Sequence, residues 1–427
     1  MKIAILTTFT KFFPGYSLTG IVKDKATMLA KYGHEVHLFV NERYNGESFS
    51  DDVILEKKIP FAHLKDYKAI SEVSAEHKLV VNNMKMMLLK ECAAFDIIMT
   101  EDFIFQGWNL PYALGIIEAT PQMEKPRWMH WVHSVPTGGR DYWDIKLYGN
   151  KHKVIYPNQT DKILVYEMFK GNINSIRIIP HIKDVRTWDD FHPEANNIID
   201  WAPQLMTADI VQVYPCSVDR LEHKGLSEVI KIFSYLKKAT RTVCLFVATQ
   251  WATGQKQWDA VDEYRKLAGE YGLIPGKDII FSSDYKPTAA RGKPLYGVAI
   301  PREVLKDLMK LSNLFVFPTQ EETFGLVWPE ICLSGSPLLV LNKSLNMMAE
   351  VSGMNALFFD FGSFHNKVNR PLEEQDRWLA AVTYAILGTM SLDHSIRSRT
   401  WVRQKYNYDY LYQHYYGPIM AESKSWI

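Results

Sequence analysis

Residues 317–342 read "FPTQEETFGLVWPEICLSGSPLLVLN". The apolar run "NLFVF" (313–317) feeds into this stretch and "PLLVL" (337–341) closes it. Apolar runs without polar alternation, bounded by turn residues, read as strands buried on both faces, the pattern of a parallel sheet. Between them the chain must turn at Gly325 and start a helix near Val327, with Pro329 tolerated in its first turn. Glu322 and Glu330 therefore fall at the carboxyl end of a buried strand and in the first turn of the next helix. That is where open parallel sheets bind their ligands.

The same grammar runs outward in both directions. Strand-like runs in the first half are 2–8, 35–40, 96–100, 127–133, "KILVY" (162–166) and 176–180. In the second half they are 210–215, 242–249, 278–283, 313–319, 337–342 and 356–361. The segments between them support helices. "GIVKDKATMLAKYG" carries a helical apolar stripe and a glycine stop at Gly33, and "GLSEVIKIFSYLKK" repeats the pattern from Gly225. Strands alternating with helices imply parallel α/β sheets. The series pauses at 184–208, where Asp, Asn and Pro dilute the apolar content, and this stretch reads as an interdomain linker. The expectation is an α/β fold of two Rossmann-like, doubly wound domains facing across a cleft. They span 1–200 and 205–399, and a Tyr-rich helix at 400–427 crosses back onto the first.

Composition bounds the function. At 427 residues, with 47% apolar and 23% charged residues, the chain is a globular protein of two or three domains. A net charge of +1 argues against a dedicated nucleic-acid binder without a local basic patch. Cys92, Cys216, Cys244 and Cys332 have no metal-ligand spacing and read as free thiols of a reducing compartment. No segment reaches transmembrane length and the N-terminus is too short for a signal peptide, so a cytoplasmic location is expected. The 12 Trp and 22 Tyr serve equally as core or as stacking platforms for sugars or bases.

Four constellations could carry chemistry. Around Gly325, turn N–H groups and a helix N-terminus suit an anionic diphosphate. Glu330 could accept hydrogen bonds from a ribose and Glu322 from sugar hydroxyls. The bland alternative makes Glu330 a helix-dipole partner and Glu321 and Glu322 solvated loop charges. In "YPCSVDRLEHKGLSEVIKIF" (214–233), Arg220 and Lys224 stand at a strand–helix junction, as a diphosphate would require. Asp219 and Glu222 could equally neutralise them. In "TTFTKFFPGYSLTGIVKDKA" (7–26) Gly20 opens a helix, but no GxGxxG follows the strand, which counts against a dehydrogenase. In "RWMHWVHSVPTGGRDYWD" (127–144), His130 and His133 are three apart and should not share one side of a strand. His133 lies nearer the end and a glycine-containing loop. Trp128, Trp131, Trp143 and Arg140 could line an acceptor groove, though core packing explains Trp128 and Trp131 equally well. The Asp-Phe-Gly at 360–362 lacks the other kinase elements.

"EETFGLVWPE", with the upstream "IPREVLKDLMKLSNLFVFPTQEETFG", resembles the E-x7-E segment of GT-B retaining glycosyltransferases of the family 4 type. The specific likeness covers about 298–342, and the order of elements extends it over nearly the whole chain. It implies transfer of a sugar from a nucleoside-diphosphate sugar, UDP-sugar favoured, to an acceptor hydroxyl. Configuration would be retained, with no metal and no cofactor beyond the nucleotide-sugar co-substrate. By the match, Glu330 holds the ribose and Glu322 the donor sugar. Arg220 and Lys224 grip the diphosphate, and Thr323, Phe324, Gly325 and Leu326 bring backbone to the donor. Gly20 lies in the family's glycine-containing first turn, and His133 matches a histidine approaching the sugar. Thr323 replaces a smaller residue, Ile331 replaces the usual alanine, and the Arg220–Lys224 spacing is one residue short, which makes Lys224 the firmer assignment.

The acceptor is expected on the first domain. The stretch from Lys125 to Lys153, modestly basic and interleaved with Trp and Tyr, admits a hydroxymethylated base in phage-type DNA, whose glucosyltransferases carry an element that "HKG" (223–225) resembles. It admits a glycan, lipid-linked sugar or small molecule as well. The rival readings are a nucleotide-sugar epimerase or hydrolase of the same fold and a non-catalytic sugar-binding module.

Overall fold

The computed structural model describes residues 1–13, 16–48, 50–62, 65–104, 107–134, 140–239, 241–286, 298–322 and 325–426. The chain forms two compact units. The first comprises Met1–Asp184 with Lys405–Ile427, the second Val185–Gln404.

The first unit is built on seven strands: β1 (Lys2–Leu6), β2 (Glu35–Asn41), β3 (Val53–Ile59), β4 (Ile97–Glu101), β5 (Arg127–Trp131), β6 (His152–Tyr156) and β7 (Ile176–Ile178). All pair in parallel, in the order β3-β2-β1-β4-β5-β6-β7. Successive side chains of a strand point to opposite faces, and the unit accordingly has two cores. Ala4, Leu6, Ile98 and Trp128 enter one, while Ile3, Ile5, Met99, Met129 and Trp131 enter the other. The second core is completed by Tyr408, Leu411, Tyr416, Ile419 and Trp426 from the terminal helical segment. Tyr416 stacks on Trp131 with ring centroids 5.7 Å apart.

The second unit has β8 (Ile210–Ser217), β9 (Val243–Gln250) and β10 (Ile279–Phe281) in one parallel sheet, ordered β10-β9-β8. A second sheet holds β11 (Leu314–Phe317), β12 (Leu338–Asn342) and β13 (Leu357–Phe359), ordered β11-β12-β13. Side chains stitch β8 to β11. The Gln212 amide donates to Val316 O and accepts from Val316 N–H, both at 2.9 Å. Asn313 Oδ1 accepts from Val211 N–H at 2.9 Å, and Ser312 Oγ accepts from Val213 N–H at 3.0 Å. Gln212 is fully buried. The two sheets thereby read as one doubly wound series, 3-2-1-4-5-6, with its switch point at β8/β11.

The helix at Ser17–Lys31 stops at Gly33, whose φ is +77°, as the glycine signal predicts. Two expectations are corrected. "KILVY" is not a strand: Lys162–Phe169 is a helix that buries Val165, Met168 and Phe169 and exposes Ile163 and Leu164. The buried residues there have helical spacing. The stretch 184–208 is not an open linker. It folds into helices at Val185–Trp188, Pro193–Trp201 and Gln204–Thr207, and Ala195, Ile198, Ile199 and Ala202, spaced i, i+3, i+4, i+7, enter the core of the second unit. The strands β3 and β6 escaped the sequence reading because Glu56, Lys57, Lys58 and His152 interrupt their apolar runs.

The seam makes a stability prediction. Gln212→Leu keeps the volume but strands the N–H and C=O of Val316, each costing about 1–3 kcal/mol when buried unpaired. Urea unfolding should register a loss of about 2–5 kcal/mol from those two groups; a change under about 0.5 kcal/mol, the scale of an inconsequential surface substitution, would mean the seam is not held by Gln212.

Candidate active site

On the second unit the candidate residues gather where β8 and β11 end side by side. After β8 the chain makes a tight turn, with Lys224 N–H donating to Arg220 O (2.9 Å) and Gly225 N–H to Glu222 O (2.9 Å). It then enters the amphipathic helix Leu226–Lys238. Gly225 has φ +72°, and a Cβ there would lie 2.7 Å from the Pro318 carbonyl oxygen. Only glycine meets both demands. That close approach, with Gln320 N–H donating to His223 O at 2.8 Å, knits the loop after β8 to the loop after β11.

The result is an ion pair between Lys224 and Glu322, whose side chains are 15% and 14% exposed. Lys224 Nζ also sits 5.5 Å from the Phe317 ring centroid. Burial, and then the neighbouring Arg220 charge, lower the Lys224 pKa. Arg220 itself is exposed. Behind them, burial pushes the Cys216 thiol up to about 12 against the pull of Lys224 and Arg220, so it stays protonated.

Gly325 has φ +75°, and a Cβ there would meet Phe317 at 3.3 Å and Met348 at 3.1 Å. Leu326, exposed, caps the helix Val327–Gly335, and Glu330 lies in its first turn. Glu330 is 41% exposed, with Arg302 Nη2 3.4 Å from its Oε1. Thr323 and Phe324 lie outside the described residues. A depression of about 480 Å³ lined by Asp209, Arg241, Asn313, Arg397 and Trp401 opens at the amino-terminal ends of β8 and β11. It is at the opposite end of these strands from Lys224 and Glu322.

On the first unit His133 follows β5 and joins a cluster that sequence reasoning did not single out. Its Nε2 is 2.7 Å from Glu101 Oε2, and its N–H donates to Asp102 Oδ1 at 2.8 Å. Lys25 Nζ donates to Glu101 Oε1 at 2.6 Å, with both side chains at most 1% exposed. Burial would raise Glu101, but the charges of Lys25 and His133 and their hydrogen bonds override it and hold the carboxyl at about 2. The same burial lowers Lys25, and Glu101 offsets part of that. The sequence signal was "IIMTED" (97–102), two carboxylates at a strand's carboxyl end. Gly20 lies inside the helix Ser17–Lys31, with open space where a Cβ would be. His130 is separate from the cluster, as its position three residues before His133 implies. It is fully buried and bonded to Thr100 and His152, and burial lowers it to about 3.

The acceptor-groove expectation is corrected. Trp128, Trp131 and Trp143 are buried to 3% exposure or less and offer no face for stacking. Trp128 and Trp131 leave opposite faces of β5 for the two cores, and Trp143, in the turn Asp141–Trp143, joins the core of Trp128. Arg140 is spent on Asp66 (3.2 Å) and Tyr142 (2.7 Å), and Lys125 on Asp96 (2.9 Å). The glycine-containing loop beyond Ser134 lies outside the described residues at 135–139.

No family model matches the sequence, and no curated protein matches it. Among solved structures, the chain is similar to a glycosyltransferase from Rickettsia africae at 12% identity and TM-score 0.39, covering 99% of this chain and 98% of that one. It is similar to an α,α-trehalose-phosphate synthase (UDP-forming) from Burkholderia vietnamiensis at 12% identity and TM-score 0.34, covering 99% and 98%. It is also similar to Anabaena HepE, solved with UDP-glucose, at 15% identity and TM-score 0.34, covering both chains fully.

The buried pair makes a pH prediction. Glu101 has a native value near 2 against an ordinary 4.5, so its carboxylate contributes stability above pH 4.5 that is lost as pH falls toward 2. Glu101→Gln should cost about 3–5 kcal/mol at neutral pH, the cost of breaking a buried pair. Its deficit relative to wild type should shrink across that window in urea unfolding at stepped pH. A deficit constant down to pH 2 would show that the carboxylate is not held low.

Proposed function

We propose that the chain is a GT-B-type glycosyltransferase that moves a sugar from a nucleoside-diphosphate sugar, UDP-sugar favoured, to an acceptor hydroxyl with retention of configuration. The observation that carries the reading is the Lys224–Glu322 pair at the switch point of the second unit. A sugar nucleotide presents an anionic diphosphate and a ring of hydroxyls across one glycosidic bond. A site for it needs a cation and an acceptor carboxylate side by side.

Roles follow from chemistry. As the bond from the anomeric carbon to phosphate oxygen breaks, negative charge grows on the leaving diphosphate. Lys224 and Arg220 meet that charge, the work a divalent ion could otherwise do. Backbone N–H groups of Gly325 and Leu326, just before the helix Val327–Gly335, add positive dipole ends. Glu322, released from Lys224 as the diphosphate takes its place, accepts hydrogen bonds from the sugar hydroxyls. Glu330 accepts from the ribose. The acceptor hydroxyl belongs to a glycan, a small molecule or a modified base.

Two variants test the site. Lys224→Ala should lower kcat/KM for UDP-glucose turnover by about 10²–10³, the loss expected on removing one donor to developing charge. Glu322→Gln should lower turnover comparably yet bind free UDP at least as tightly as wild type, because it leaves Lys224 unneutralised. Wild-type turnover in both folded variants would remove the proposed site.

A further inference from the structure

The depression of about 480 Å³ at the amino-terminal ends of β8 and β11 lies at the far end of these strands from Lys224 and Glu322, and its lining belongs wholly to the second unit. Its volume is that of a small-molecule site. We propose that it binds a small organic phosphate. Arg241 and Arg397 hold the phosphate, and a ring-bearing body lies along Leu387, Met390 and Trp401.

The charge comes from two elements. Arg241 precedes β9 and Arg397 belongs to the helix His394–Lys405, and both are exposed. Neither has an ion-pair partner among the described residues. Arg397 Nη1 donates to Ser391 O at 3.3 Å, one neutral acceptor for a group with five N–H donors. Arg241 reaches Asp209 through its field. Asp209 is the one acidic residue of the lining among the described residues, and its carboxylate is already engaged. It accepts from the N–H and hydroxyl of Thr242 at 3.0 and 2.8 Å and from the Gln404 amide at 3.2 Å. Two arginines against one aspartate leave the lining one positive charge in excess.

The same helix shows what a structural arginine does here. Arg399 donates to Lys310 O at 2.8 Å and to Gly335 O at 3.1 Å. Arg403, buried, donates to Leu205 O, Met206 O and Ala208 O at 2.9, 2.6 and 2.7 Å. Those bonds fix the helix to its unit, and Arg397 is not needed for that. The floor is rigid as well. Asn313 Nδ2 donates to Asp209 O at 2.7 Å and to Thr400 Oγ1 at 3.0 Å, while its Oδ1 accepts from Val211 N–H. One buried side chain thereby ties the starts of β8 and β11 to the helix, so the walls stand in place before a ligand arrives, which lowers the entropy lost on binding.

The chemistry of the lining selects the ligand. Guanidinium groups arriving from two directions suit a tetrahedral head with three terminal oxygens better than a planar carboxylate, which one fork satisfies. A phosphate monoester also brings about two negative charges near pH 7. Beside the cations the wall is apolar. Leu387 and Met390, from the helix Leu372–Leu392, are half-buried, and Trp401 is 56% exposed. An indole beside aliphatic side chains offers a surface on which a ring can lie.

Calorimetric titration of the full chain with phenyl phosphate is the test, and it is independent of the glycosyl-transfer reading. Phenyl phosphate should bind saturably and about tenfold or more tighter than inorganic phosphate, which has no body, or phenylacetate, which has a two-oxygen head. Arg241→Gln with Arg397→Gln should weaken it about tenfold or more, as for lost charge-assisted hydrogen bonds. Both positions are exposed, so this double variant should keep the wild-type unfolding midpoint. Phenyl phosphate should quench tryptophan fluorescence less in Trp401→Phe than in wild type. Lys224→Ala should bind it as wild type does, because the donor residues lie at the other end of the strands. Absence of saturable binding, or wild-type affinity in the folded double variant, overturns the site. So does binding that disappears in Lys224→Ala, which would assign the phosphate to the donor residues. Inorganic phosphate or phenylacetate binding as tightly as phenyl phosphate overturns the ligand class.

Discussion

The second unit depends on one amide. Gln212, fully buried, offers both halves of its side-chain amide to the backbone of Val316, and in doing so takes the place of a strand-to-strand ladder. Together with the bonds of Asn313 and Ser312 to Val211 and Val213, that bridge joins β8 and β11, the edges of two three-stranded sheets. With it they end beside each other, and the loops that follow must converge. Gly225 then lets the first loop lie against the Pro318 carbonyl of the second. The meeting of Lys224 and Glu322, 98 residues apart in the chain, is a consequence of that geometry.

Much of the fold was legible because both sheets are parallel and buried on both faces. That makes a strand a short run of apolar residues with a turn at each end. The reading failed where charge or length broke the pattern. β3 carries Glu56, Lys57 and Lys58, and β6 begins with His152, so neither looks continuous. The run at 162–166 is apolar, but only burial distinguishes a helix that hides Val165, Met168 and Phe169 from a strand. At 184–208 the frequent Asp and Asn concealed a helical spacing of apolar residues that pack into the core.

The site was legible to a different degree in each unit. Glu322, Glu330, Arg220 and Lys224 lie in two contiguous motifs, and it is the resemblance of those motifs to a known family, more than their spacing, that singles them out. The cluster around His133 draws on 25, the adjacent pair 101 and 102, 133 and 181, segments far apart in the sequence. Lys25 in particular stands in a helix whose pattern calls for an apolar residue, and one lysine among apolar neighbours reads as surface. The register of β4 on β5 brings 101 and 102 beside 133, while the helix Ser17–Lys31 supplies 25 and the chain beyond β7 supplies 181.

The two ion pairs differ in a way that bears on what each can do. Lys25 and Glu101 are sealed from solvent, so parting them would leave two bare charges in a medium that cannot stabilise either. Such a pair is a fixed element, fit to set the geometry and proton position of a neighbour and unfit to exchange partners. Lys224 and Glu322 keep some exposure, and Lys224 has the charge of Arg220 beside it. Solvent and a second cation lower the cost of separating them, and an entering diphosphate offers Lys224 a more highly charged partner than one carboxylate. The proposed donor site, which must hold a diphosphate and then release it, needs a pair of the second kind.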